Sequence, residues 1–160
     1  MSMTADQQAF LIGMIALSEG RHEDALANFQ SALQLEGQRG AARRQMRYLS
    51  YYGLSSALAN RPTPEAIQAC ELAARRDFCN AELQLNLGKV YMLAGKTTRA
   101  LSALERGLKI APESKSLRDE KTRADRRKRP TIPWLRRNHP LNCWLGRVRT
   151  SLGTRTRPVS

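Results

Sequence analysis

The run Gly95-Lys96-Thr97-Thr98 carries the closing Gly-Lys-Thr of a phosphate-binding loop, and it is the nearest thing to a reactive motif in this 160-residue chain. Such a loop cradles phosphate with backbone amides and requires a glycine five positions before Gly95, where Val90 stands instead. The run reads better as a turn in which Gly95 ends one helix and Thr97 or Thr98 caps the next. The two histidines, His22 and His139, lie in different segments, and neither has cysteine or carboxylate neighbours at metal-ligand spacing. Cys70, Cys79 and Cys143 form no Cys-x-x-Cys pair and no cysteine-histidine motif. An odd number of unpaired cysteines suits a reducing compartment, so a cytoplasmic location is expected. No catalytic residue, cofactor site or metal site is assigned, and the chain is read as a non-enzymatic protein.

What remains is the chemistry of recognition, and charge divides the chain in two. The net charge is +13; residues 1–117 contribute +3 of it and residues 118–160 contribute +10. Ser114 to Arg129 has good helix formers but only Leu117 and Ala124 as apolar anchors, which fits a polar end-cap helix or a frayed one. It closes on the basic cluster Arg126, Arg127, Lys128 and Arg129. Beyond it Pro130, Pro133 and Pro140 exclude one continuous helix. Leu141, Trp144, Leu145, Val148 and Leu152 nevertheless recur on one helical stripe, predicting a short amphipathic helix over about 140–152. Trp134 sits beside Arg136 and Arg137, and Arg147 and Arg149 follow the second tryptophan, Trp144. Three readings of this extension stand open. It folds back on the preceding helices; it docks on another protein through Trp134 and Trp144; or its arginines contact nucleic acid or an anionic membrane surface.

Whatever these residues do, a helical scaffold must carry them. No run of 18 apolar residues exists to span a membrane. The longest apolar stretch, Ala9 to Leu17, is preceded by Asp6 where a secretory signal needs a basic region. It reads instead as a first helix, with Thr4 and Gln7 spaced for a capping box and both sides of the helix packed. Ala25, Ala66 and Ala100 then mark equivalent places in three helix-turn-helix units. The first unit has Gly13, Ala16, Gly20, Phe29, Ala32 and Leu33. The third has Leu87, Gly88, Tyr91, Gly95, Leu104, Gly107, Leu108 and Pro112. The spacing from Ala66 to Ala100 is 34 residues, and that from Ala25 to Ala66 is 41. The excess falls in a longer joint, from about Gln38 to Met46, and in the turn Asn60 to Pro64. The middle unit is degenerate, with Cys70 where its neighbours place Phe29 and Leu104. Small residues at the crossings let paired helices approach to ~8–10 Å. With 41% apolar but only 6% aromatic residues, the core is expected to be mostly Leu, Ala and Ile.

On these residues the chain resembles a tetratricopeptide-repeat (TPR) protein over roughly residues 6 to 117. The resemblance implies an all-α, right-handed solenoid with repeats at about 6–39, 46–79 and 81–114. A capping helix and the proline-interrupted basic extension at 118–160 would follow. It also implies a concave groove, lined by the first helix of each pair, for a protein or peptide partner. The matching positions are Phe10, Met14 and Leu17 in the first copy, Arg47 and Leu54 in the second, and Leu85, Lys89 and Met92 in the third. Chaperone-binding TPR domains grip a terminal carboxylate with Lys and Asn where this chain has Phe10 and Met14, so that clamp is absent. An adaptor or scaffold with an apolar groove is the leading expectation. TPR chaperones of bacterial type III secretion are the alternative, similar in length and repeat number but typically acidic. Self-association into a homodimer is open.

Overall fold

The computed structural model describes residues 3–37 and 42–128. The chain divides into two units, Met1–Ala124 and Asp125–Ser160; of the second, only its first four residues are described. The described residues form seven helices and no strand: α1 (Ala5–Ser18), α2 (His22–Gly37), α3 (Ala42–Ala59), α4 (Pro64–Arg76), α5 (Ala81–Leu93), α6 (Thr97–Ile110) and α7 (Lys115–Lys128). Each odd-numbered helix from α1 to α5 pairs with its successor, and α2 and α4 also pack on the helix that follows. Side chains join α1 to α3 and α3 to α5, so these three helices lie side by side with α2, α4 and α6 behind them. This is an all-α TPR solenoid. Among the described residues no helix is long and apolar enough to cross a membrane.

Local chemistry sets the helix ends. The Thr4 backbone N–H donates to Gln7 Oε1 at 3.2 Å at the start of α1. Thr63 Oγ1 accepts from the Ala66 N–H, with Pro64 opening α4 where its missing N–H costs nothing. Asn80 Oδ1 accepts from the Glu82 N–H to cap α5. The first and third pairs turn in the same way. Gly20 and Gly95 adopt φ of 77° and 71°, and the next residue, Arg21 or Lys96, donates its N–H to Ala16 O or Tyr91 O. Only glycine reaches that left-handed conformation without strain, and the bond back across the turn satisfies the helix end. Neither Thr97 nor Thr98 caps α6: its N-cap is Lys96, and both threonines lie within the helix.

One contact recurs in all three pairs. A Cβ added at Gly13 would lie 2.7 Å from Phe29 Cε1, at Gly53 2.7 Å from Cys70 Sγ, and at Gly88 2.6 Å from Leu104 Cδ2. Each pair therefore closes by pressing the second helix's large or sulfur side chain onto the first helix's glycine. The degenerate middle pair keeps the geometry, with Cys70 fully buried and its S–H donating to Ser50 O at 3.3 Å.

Two expectations are corrected here. The joint expected up to Met46 is partly helix, because α3 begins at Ala42 and gains its first turn from those residues. The core is mostly Leu and Ala, as expected, and its few aromatics Phe10, Phe29, Tyr48 and Tyr51 gather in one cluster beside the larger one that runs from Leu54 to Ala124. The two sides of α1 are not both packed, since Leu11, Ile12 and Ile15 are 47%, 53% and 55% exposed. Phe10, Gly13 and Ala16 take the buried face against α2 and α3, and the outward face has no helix over it among the described residues. At the other end, Leu117 and Ala124 of α7 are buried, and Leu117 sits against Gly107.

Candidate partner-binding face

The side-by-side helices α1, α3 and α5 carry the residues picked out for a groove, at i, i+4 and i+7 spacing along each helix. Along α1 run Phe10, Met14 and Leu17; along α3, Arg47 and Leu54, with Tyr51, not expected there, between them; along α5, Leu85, Lys89 and Met92. Met14, Leu17, Arg47, Leu85 and Lys89 are half-buried, while Phe10, Leu54 and Met92 are buried among their own helices. The last three thus shape the face from beneath.

Phe10 shows why. Its ring stacks on Tyr48 at 4.7 Å, meets Tyr51 edge-on at 5.4 Å and tilts against Phe29 at 5.4 Å. The Arg47 guanidinium covers the remaining side, 4.8 Å from the ring centroid. Arg47 then reaches the third pair, where Nε donates to Glu82 Oε2 at 2.9 Å and Nη2 to Glu82 Oε1 at 3.2 Å. The Tyr51 hydroxyl donates to the same carboxylate. Burial, and then the bond to Glu82, push the Tyr51 phenol well above its ordinary value. Deeper still, Asn86 Nδ2 donates to Ser50 Oγ at 3.2 Å. The charges of Arg47 and Glu82 are therefore spent on each other, and Met14, Leu17, Leu85 and Lys89 are the other half-buried side chains of these stripes.

A second polar cluster lies where α1 begins, α2 ends and the added turn of α3 starts. Asp6 and Glu36 are fully buried, and Arg44 approaches both carboxylates, at 3.9 Å and 3.7 Å. The Tyr48 hydroxyl donates to Asp6 Oδ2 at 3.1 Å. Burial alone would raise the Asp6 carboxyl, but hydrogen bonding to the Thr4 side chain, then to Tyr48 and its own backbone amide, and one shared with Glu36, hold it below its usual range. Burial and the bond to Asp6 push the Tyr48 phenol up to about 12. Sequence reasoning took Asp6 only as a charge ahead of an apolar run. Its position four and seven residues before Phe10 and Gly13 places it on their buried face, and that periodicity is the signal that would have found it.

Of the basic extension, Arg126 is exposed on α7. Arg127 and Lys128 lie in the last turn of α7, their side chains outside the described set. Arg129, Trp134, Arg136, Arg137, Trp144, Arg147, Arg149 and the helix expected over 140–152 lie outside the described residues.

Residues 9–39 and 81–114 match the sequence profile of the family described as tetratricopeptide repeat. No curated protein sequence matches the chain. Solved structures similar to it include the TPR domain of Arabidopsis OM64, at 19% identity over 76% of this chain and 95% of that one, with a TM-score of 0.61. The Sgt2 TPR domain from Aspergillus fumigatus is similar at 14% identity over 99% of this chain and 88% of that one, with a TM-score of 0.63.

Proposed function

We propose that this tetratricopeptide-repeat chain is a non-enzymatic adaptor that holds a peptide or partner helix against the face formed by α1, α3 and α5. The observation that carries the reading is the half-buried Met14, Leu17 and Leu85 beside Lys89, on a face whose other charges, Arg47 and Glu82, already neutralise each other. Such a surface rewards apolar anchors on an extended or helical partner, and methionine adapts to their shape. It does not suit a free terminal carboxylate, which would meet Glu82 and find Arg47 already engaged.

The basic run that begins at exposed Arg126 adds contacts to an acidic partner or an anionic surface, and those contacts weaken as salt rises. The outward Leu11, Ile12 and Ile15 of α1 offer a surface on which two copies pair, a reading that sedimentation of the full chain tests.

Affinity capture from nuclease-treated lysate, at low and high salt, separates the groove from the extension. The comparison is between the full chain and residues 1–128, because Leu117 and Ala124 belong to the core and a cut before α7 would expose it. A discrete protein retained at high salt by both forms, and lost with Met14→Glu or Leu85→Glu, supports the adaptor reading. Retention that ignores both substitutions, or that vanishes with the extension, refutes it.

A further inference from the structure

A hollow of about 620 Å³ opens between α4, α5 and α6, on a different face of α5 from Leu85, Lys89 and Met92. Its origin is legible in the repeat pattern, which places a tryptophan three residues before the Leu-Gly pair. In the third copy that pair is Leu87-Gly88, and the residue three before Leu87 is Gln84. Gln84 is buried on the floor of the hollow, with Nε2 donating to Ala74 O at 3.5 Å and Oε1 accepting from Arg106 Nε at 3.3 Å. A short amide thus stands where an indole would fill space. Phe78 and Ile110 form the walls and are 70% and 39% exposed, which is costly for side chains of that size.

The rim is cationic. Arg75, Arg106 and Lys109 line it, all exposed, and among the described residues none of the three makes an ion pair. The one carboxylate, Glu71, accepts from the Tyr91 hydroxyl. We infer that this hollow is a second binding site, which takes an acidic peptide segment bearing one large apolar anchor. The anchor enters between Phe78 and Ile110 above Gln84, and its flanking carboxylates meet Arg75, Arg106 and Lys109. The volume lies within the ~300–1,000 Å³ typical of sites that enclose a small ligand or a single anchor. The chain's own extension is the wrong occupant, because residues 118–160 carry 13 Lys and Arg against 3 acidic residues and share the sign of the rim. This inference does not depend on the α1, α3, α5 face.

The probe is a fluorescein-labelled peptide, Asp-Glu-Phe-Leu-Asp-Glu, titrated into the full chain by anisotropy, beside a copy with Ala in place of Phe and Leu. The site predicts that the first peptide binds more tightly and that Arg106→Glu or Lys109→Glu weakens it about tenfold, as losing one charge-assisted hydrogen bond would. Gln84→Trp fills the hollow and abolishes the preference for the Phe peptide. Circular dichroism reports whether that variant folds, and the two exposed rim substitutions carry the test if it does not. Lys89→Glu, on the other face, leaves the titration unchanged while bearing on the adaptor reading. Equal binding of both peptides, or binding that survives Arg106→Glu and Lys109→Glu, assigns the interaction to the basic extension and overturns the inference. So does a labelled oligo-dT of equal charge that binds more tightly than the Phe peptide and is lost with the same two substitutions.

Discussion

Gly53→Ala tests whether the middle helix pair is held by the same close approach as its neighbours. The new Cβ would lie 2.7 Å from the Ala66 carbonyl oxygen, 2.7 Å from Cys70 Sγ and 3.2 Å from Ala69 Cβ. Ordinary contact begins at 3.4 Å, so α3 and α4 must separate by about 0.7 Å, and one of the obstacles is backbone, which cannot rotate away. Overpacking of this kind costs ~1–3 kcal/mol, while exchanging Gly for Ala inside a helix returns ~1 kcal/mol. The net expectation is a loss of up to about 2 kcal/mol relative to the parent. Urea unfolding followed by helical circular dichroism reads it as a lower midpoint at unchanged slope. Gly37→Ala is the matched control, because its Cβ would meet no heavy atom within 4 Å, and it is neutral or stabilising. Adding Cys70→Ala removes the sulfur but leaves the carbonyl, so the double variant stays less stable than Cys70→Ala alone. If Gly53→Ala instead gains the ~1 kcal/mol that an unobstructed Gly-to-Ala exchange inside a helix returns, the close-approach account of the middle pair is wrong.

Other expectations follow from the polar clusters and the thiols. A double-mutant cycle between Arg47→Met and Glu82→Gln should give a coupling of ~0.5–1 kcal/mol, modest because the two side chains are 44% and 32% exposed; zero coupling would remove the tie between the second and third pairs. Asp6 is held below its ordinary pKa of 3.8, so its contribution is present above that value and lost as pH falls through the depressed folded value. Thermal melts of the parent should therefore drop steeply below pH 3.8, and Asp6→Asn should flatten that limb; an unchanged acid limb would contradict the assignment. Burial pushes the Cys70 thiol up to about 12, whereas Cys79 is exposed. In a Cys143→Ser background, iodoacetamide at neutral pH should modify Cys79 and spare Cys70 until the protein is unfolded, as peptide mass mapping will show.

The pair architecture was legible because it is imposed sterically. Glycine at 13, 53 and 88 and alanine at 25, 66 and 100 are the residues that let two helices close, and no larger side chain substitutes without moving the axes. The middle copy looked degenerate by residue type, yet Cys70 fills the role of Phe29 and Leu104, since the glycine opposite needs only a side chain to press against. The stripes expected to line a groove were visible as spacing, but the exposure of their residues was not. Phe10 and Met92 share helical stripes with half-buried neighbours, but burial depends on which neighbour reaches over them, and the reach of Arg47 across Phe10 to Glu82 spans 35 residues to its far partner. The Asp6–Glu36–Arg44 cluster was hidden for a related reason: residues read as a connecting joint are the first turn of α3, and that turn delivers Arg44. The hollow above Gln84 lies where the repeat pattern has a tryptophan, a position visible in the sequence only once the third copy is aligned to it.

Arg47 has a consequence for how the molecule comes apart. In a linear array of folding units, stability is a sum of unit energies and junction energies, and each junction ordinarily breaks on its own. Here one side chain touches both junctions, resting on the first unit's ring and holding the third unit's carboxylate, beside the helix packing that makes up most of each junction. Peeling away one end removes one of its two contacts and leaves it freer to let go of the other. The two ends are thereby given a small shared term, which draws their melting transitions together.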